Sequence, residues 1–281
     1  MTRCSSTKPH RIVLEAGRTE RNYWADLWRY RELFAIFAWR DVAVRYRQTF
    51  IGVAWAIIRP LLTMVIFTVV FGHLAKLPSD GATPYPVLVL AGLLPWFLFS
   101  TIMGDASGSL IGNANLIRKI YFPRIIIPSS LMLAALVDFS VNLVLFCALL
   151  IWFGVMPDWR IVLLPAFLVL AIAVSLGPTL LITALNVKYR DFRYIIPFII
   201  QLLLYVSPVG FSSAAVPAQW RFWYSLNPLV GVIDGFRWCL LGDERPLHLP
   251  GLAFSLLFSV AFLWIGISYF RRTERTFADT V

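Results

Sequence analysis

Apolar residues in this chain gather into six long stretches, at about 51–75, 85–111, 125–153, 161–185, 194–211 and 251–270, with short polar loops between them. A helix needs roughly 20 apolar residues to cross the hydrocarbon core of a bilayer, and each stretch is close to that or longer. Buried helices of soluble proteins are seldom so long or so free of charge. The pattern predicts an all-α polytopic membrane protein with six transmembrane helices. Positions 26–50 follow another rhythm. At 100° per residue Leu27, Tyr30, Leu33, Phe34, Phe37 and Val44 share one face, with Arg29, Glu32, Arg40 and Arg47 opposite. Asp41 and Arg45 intrude on the apolar face and Ile36 on the polar one. This predicts an amphipathic helix lying at the headgroups, either as a lipid anchor or as a helix that also touches a partner.

Two places in the spans depart from plain hydropathy. Arg59-Pro60 falls inside the first stretch, where an arginine at the membrane centre would cost about 2.5–3.5 kcal/mol. The membrane core is therefore expected to begin near Pro60, with Arg59 snorkelling to the interface. Asp105 sits toward one end of the second stretch, but Asp138 lies near the middle of the third. A carboxylate there is functional, or it hydrogen-bonds another helix and is neutralised by desolvation. From 207 to 245, Pro208, Pro217 and Pro228 break a run crowded with Trp220, Phe222, Trp223, Tyr224, Phe236 and Trp238. Short re-entrant helices on the outer side, between helices 5 and 6, fit this segment, as does an interfacial aromatic belt.

Charge then orients the chain. Its net charge of +10 comes from Lys and Arg placed unevenly: 20 of the 25 precede Pro60, lie in 113–124 or 186–193, or follow Phe270. Threading six helices puts those 20 on one side, against Lys76, Arg160, Arg221, Arg237 and Arg245 on the other. That asymmetry predicts both termini in the cytoplasm and contact with anionic lipid, not a nucleic-acid partner. Hydrophobic residues make up 59% of the chain, charged residues 14%, and the mean hydropathy is +0.74. The organisation expected is a tail at 1–25, the surface helix at 26–50, a transmembrane domain at 51–270 and a cytoplasmic tail at 271–281. The first 26 residues hold no apolar signal region, so targeting is expected to reside in the first membrane helix.

Catalytic patterns are missing. His10, His73 and His248 stand alone, and Cys4, Cys147 and Cys239 form neither ligand spacing nor an evident disulfide pair. The chain has no HExxH, no CxxC and no Gly-Lys dipeptide, so a Walker A loop is impossible. A protein of this kind that works with ATP must borrow its ATPase from another chain, and no metal site is expected.

The loops supply what the spans lack. Arg40, Asp41, Arg45 and Tyr46, followed by Gly52, Trp55 and Pro60, then Asn115, Leu116, Ile117, Lys119, Phe122, Pro123 and Pro128, form two dense motifs. Asn186, Arg190 and Asp191, Ser207-Pro208-Val209, Asn227-Pro228 and Phe236-Arg237 follow. In this order they resemble the membrane subunit of a bacterial type-2 ABC exporter, in the branch for O-antigen, capsular polysaccharide or teichoic acid. Ile51 replaces that family's usual leucine before glycine.

The resemblance implies a homodimer in the bacterial inner membrane with a conduit between subunits, served by two copies of a separate nucleotide-binding subunit that carries ATP and Mg. It also implies that 113–124 is a coupling helix, with Asn115, Leu116, Ile117, Arg118, Lys119, Phe122 and Pro123, together with Arg190 and Asp191, as the ATPase-coupling residues. Arg40, Asp41, Arg45 and Tyr46 fall on its interface helix. The cargo implied is an undecaprenyl-diphosphate-linked polysaccharide. Sugars stack on aromatic rings, so Tyr205, Trp220, Trp223 and Tyr224 are candidates for an outer gate. Arg40, Arg45 and Arg59 are candidates for the diphosphate, with lipid snorkelling as their other explanation. A permease of the same superfamily for a drug or small lipid remains open, as does a membrane-embedded enzyme of lipid-linked sugar metabolism. The enzyme would need a carboxylate or histidine constellation that the sequence does not display.

Overall fold

The computed structural model describes residues 23–47, 52–77, 83–242, 247–274 and 277, and its regular elements are all helices. Almost all of the expected N-terminal tail, positions 48–50 of the surface helix, Arg245 and most of the C-terminal tail lie outside the described residues.

Among the described residues, five helices are long and apolar enough to cross a membrane. They are α3 (Gly52–Phe67), prolonged by the π-helical turn Thr68–Leu74, then α4 (Tyr85–Ser107), α7 (Ile126–Phe153), α8 (Leu164–Lys188) and α12 (Leu249–Thr273). The short helices α5 (Ser109–Gly112) and α6 (Ala114–Lys119) follow α4. Pro60 does not break α3, which runs through it.

The fifth expected span is shorter than the sequence suggested. Its helix, α9 (Phe192–Val206), has 15 residues, about 22 Å at 1.5 Å per residue, against a hydrocarbon core of about 30 Å. The run of apolar residues continues to Phe211, but Ser207 precedes Pro208. A residue before proline is pushed out of the helical region, and Ser207 is extended. The chain then forms α10 (Ala218–Ser225), which is mostly exposed, and α11 (Pro228–Leu241), which is almost entirely buried.

The centre of the bundle is α4. All residues from 87 to 100 are buried, because α3, α7, α8, α9 and α11 all pack on it. Hydrophobicity draws no helices together inside lipid, so close backbone approach and interhelical hydrogen bonds take its place. The α8–α12 crossing shows the first: a Cβ on Gly177 would lie 2.6 Å from the Phe262 carbonyl carbon, and one on Gly266 2.3 Å from the Gly177 carbonyl oxygen. The second joins α8 to α4, where Thr183 Oγ1 donates to the Ala106 carbonyl at 3.1 Å and Asn186 Nδ2 to the Ser107 carbonyl at 2.9 Å.

A second core lies at the end of the bundle that carries the basic loops. Here the surface helix is two helices, α1 (Tyr23–Arg29) and α2 (Arg31–Arg47), separated at Tyr30. The face expected to meet the membrane is largely the one that meets protein. Phe37 is buried, and Leu27, Tyr30, Leu33 and Phe34 pack beside it against Ile117, Phe122, Ile126 and Phe270. Val44 departs from that face and is exposed, while Trp24, Trp28, Ile36 and Trp39 point outward at 57–74% exposure.

Candidate functional site

The two charges that spoil the apolar face of α2 are the ones that fix it in place. The Arg45 guanidinium donates to Asp138 on α7 and to Asp105 on α4, and the Tyr46 hydroxyl donates to the second oxygen of Asp138. One turn earlier, Ser130 Oγ on α7 donates to Asp41 at 3.1 Å. Arg40 holds Asp41 at 2.8 Å and also reaches Asn113 Oδ1 at 3.2 Å. Arg40, Asp41, Arg45 and Tyr46 therefore join the surface helix to α4, to α7 and to the start of the 113–124 loop.

The electrostatics are those of a compensated charge cluster. Burial acts to lower the Arg45 pKa, but Asp105 and Asp138 outweigh it and leave the guanidinium more firmly protonated than usual. Burial, and then the hydrogen bond and charge of Asp138, push the Tyr46 hydroxyl above its ordinary value, so it stays a donor. Asp138 is thus bonded to the surface helix, a form of the helix-to-helix reading with an unforeseen partner.

These charges stand on the wall of an open cavity of about 1080 Å³ lined by α3, α4, α7 and α9, at the upper end of the usual small-molecule range. Trp55, Trp96 and Phe97 give it aromatic surface, and Asn142 and Gln201 give it hydrogen-bonding groups. Arg59, whose guanidinium lies 5.2 Å from the centre of the Phe97 ring, also lines it, as does Arg193. Of the three arginines proposed for an anion, Arg45 is taken up by two carboxylates and Arg40 by Asp41 and Asn113. Arg59 is the third, and Arg193 is a further cation on the cavity wall. Arg193 was missed because it falls in a charged loop-and-helix start that reads from sequence as ordinary interfacial charge.

The 113–124 loop has an inner and an outer side. Ile117 and Phe122 are buried in the second core, Pro123 is also buried, and Leu116 is half-buried. Asn115, Arg118, Lys119, Ile120 and Tyr121 are exposed, as are Arg190 and Asp191 in the next loop. At the other end of the bundle Tyr205, Trp220 and Trp223 are exposed, whereas Tyr224 is half-buried against Phe211 with ring centres 6.4 Å apart. Burial, with the charge of Asp234 second, raises the Tyr224 pKa. The ring contacts there pair Phe222 with Trp223 and Phe211 with Tyr224, and Tyr205 and Trp220 enter neither pair. Beneath them Arg237, 4% exposed, donates to the carbonyls of Leu88, Val209 and Phe211 at 3.3, 2.9 and 2.8 Å. That tie joins α11, α4 and the turn after α9.

The chain is 26% identical over 258 residues to the O-antigen export system permease protein RfbA of Myxococcus xanthus, covering 91% of this chain and 98% of that one. It is 24% identical to the polysialic acid transport protein KpsM of Escherichia coli over 84% of this chain and 91% of that one. It is 25% identical to the inner membrane transport permease YadH, also of Escherichia coli, over 77% and 87% of the two chains. The sequence pattern of the ABC-2 type transporter family matches residues 32–241, from the surface helix to the end of α11. With three-quarters of its length inside that match, this chain is a member of the ABC-2 type transporter family.

Proposed function

We propose that this chain is the transmembrane subunit of an ATP-driven exporter that moves lipid-linked polysaccharide across the bacterial inner membrane, with ATP and Mg bound on a separate subunit. The observation that carries this reading is the aromatic and polar cavity whose wall is ionically joined to the surface helix and, through Arg40 and Asn113, to the 113–124 loop. A movement imposed on the loop has a continuous route to the cavity, and a short helix packed on a core transmits a rigid-body shift without absorbing it. Trp55 offers a flat apolar face to sugar rings, and Asn142 and Gln201 offer hydrogen bonds to hydroxyls, a combination suited to a repeating polymer. The similarity to permeases named for O-antigen export and polysialic acid transport supports polysaccharide as the cargo.

In this reading α9 is a sixth, short crossing, and α10 with α11 forms the re-entrant pair on the outer side. Both termini are cytoplasmic. The cavity faces a second copy of the chain, so that a homodimer encloses the conduit. Two ATPase subunits dock on Asn115, Arg118, Lys119, Arg190 and Asp191, while buried Ile117, Phe122 and Pro123 anchor the loop they press on. Arg59 and Arg193 receive the undecaprenyl diphosphate at the inner rim, and Tyr205, Trp220 and Trp223 line the exit. The similarity to a permease whose name specifies no polysaccharide keeps a drug or small lipid as the second reading. Deleting the chain separates the two. Loss of polysaccharide export leaves lipid-linked polymer of normal length inside the cell and none at the surface. An unchanged surface polymer with altered drug resistance overturns the proposal.

A further inference from the structure

The 113–124 loop is gripped from behind by residues beyond the last membrane helix. The Glu274 carboxylate accepts the main-chain N–H of Arg124, and the Arg124 guanidinium donates to the Glu274 carbonyl. The same guanidinium lies 6.0 Å from the centre of the Phe277 ring. That ring is fully buried and meets Phe270 edge-on at 5.4 Å. It belongs to one apolar cluster with Ile117 and Phe122, the buried side of the loop. On the neighbouring flank Arg271 lies 4.6 Å from the ring centre of Tyr23 in α1. A surface tail has no reason to bury a phenylalanine completely. Here one is inserted beneath a loop whose exposed side is charged.

We propose that Glu274 and Phe277 form a clamp that positions the 113–124 loop and converts a push on its exposed side into movement of α12. The part of the proposal that concerns the push rests on the reading of this loop as the ATPase contact. The direction of transmission follows from packing. α12 packs backbone to backbone on α8 at the Gly177–Gly266 crossing, so a displacement at Phe277 is carried into both helices. A loop held only by its own two ends would yield instead, and the ATPase would cycle without effect. Both clamp residues lie outside residues 32–241 matched by the family pattern, and neither touches the cavity. They are positioning residues for transport.

The test uses the full-length permease with its ATPase subunit, and the Phe277→Ala, Glu274→Ala and Phe277→Leu variants. A nitroxide at Lys119→Cys on a cysteine-free background, in the purified permease in nanodiscs, reports loop motion, and one at Gln219→Cys is the control at the far end. Phe277→Ala is expected to raise the mobile fraction at position 119 at least threefold and to leave position 219 unchanged. Polysaccharide exported per ATP hydrolysed, measured without labels, should fall at least fivefold. Phe277→Leu, which keeps the apolar filling, should recover about half of that ratio. Should Phe277→Ala fail to insert, Glu274→Ala carries the same test, because it leaves the apolar seat in place. An unchanged spectrum at position 119 in both Ala variants overturns the clamp, and so does a fall of export and hydrolysis in proportion. A freed loop with export per ATP unchanged upholds the clamp as a restraint on the loop and overturns the reading of the loop as the ATPase contact.

Discussion

Two arginines, half-buried Arg45 and buried Arg237, hold the two ends of this molecule by opposite means. Arg237 is satisfied by main-chain carbonyls of Leu88, Val209 and Phe211, groups that belong to the backbone of α4 and of the turn that ends α9. Arg45 is satisfied by the carboxylates of Asp105 and Asp138, side chains on two different helices that line a cavity. The carbonyls cannot rotate away without unmaking their own segments. The carboxylates can exchange one donor for another, for water or for a lysine or arginine from elsewhere. The proline-rich end is therefore built as a fixed joint and the basic end as one that can be remade, which is what a subunit needs if movement enters at the basic end.

Breaking Arg237 should have the largest effect. Arg237→Met removes the charge and strands the turn carbonyls of Val209 and Phe211, each costing about 1–3 kcal/mol when unsatisfied, while the Leu88 carbonyl keeps its bond within α4. A total of about 2–6 kcal/mol makes folded protein in the membrane the quantity that falls, read by fluorescence-detected size exclusion and thermal unfolding in detergent. Lysine, with one ammonium in place of a planar fork, cannot span three acceptors and should rescue little.

Arg45→Ala should act on transport more than on assembly. It leaves Asp105 and Asp138 facing each other across the cavity wall without their cation, and repulsion there opens the contact between α2 and the bundle. Export per inserted protein should fall about tenfold, the equivalent of about 1.4 kcal/mol, with insertion reduced less than twofold. The pair Arg45→Gln with Asp138→Asn, which keeps hydrogen bonds without charge, should recover part of the loss, because removing both members of a partly buried pair costs less than removing one.

Tyr46→Phe is the smallest break. It deletes one hydrogen bond to Asp138, worth about 1 kcal/mol, and should lower export only two- to threefold. Tyr46 also sets a pH signature. Its pKa is raised on folding, so the folded state holds the proton more tightly than the unfolded chain does. The associated stability is complete below the ordinary tyrosine value of 10 and is lost as pH rises above it. Thermal unfolding followed from pH 8 to 11 should show that alkaline loss in the native protein and less of it in Tyr46→Phe.

The same contrast explains what could be read from the sequence. The long spans announce themselves through length and charge exclusion, which are properties of neighbours in sequence. The central place of α4 leaves no such mark, because a helix buried on every side has no polar face to reveal which way it points. Pro208 and Ser207 did carry the signal for the early end of α9, but the apolar residues beyond them masked it. The Asp138 partners lie 93 and 92 positions away, and no local periodicity can pair them. Asp41 and Arg45 looked like flaws in an amphipathic helix. They are the reason that helix is attached to the cavity, so the departure from periodicity was the informative part. Trp220 and Trp223 were singled out for their residue type and are exposed, whereas Tyr224, chosen on the same ground, packs inward.

The central claim, that the cavity beside Arg45 is the polymer's path, is tested most directly by photocrosslinking. A benzophenone amino acid placed at Gln201 or Trp55 in the cavity should capture lipid-linked polysaccharide from membranes of cells making the polymer. The same group at Trp152, 84% exposed on α7, should capture only bulk phospholipid. Capture at Gln201 and Trp55 that rises when ATP hydrolysis is blocked is the predicted result. Equal capture of phospholipid at all three positions, with no polymer at either cavity site, would contradict the account.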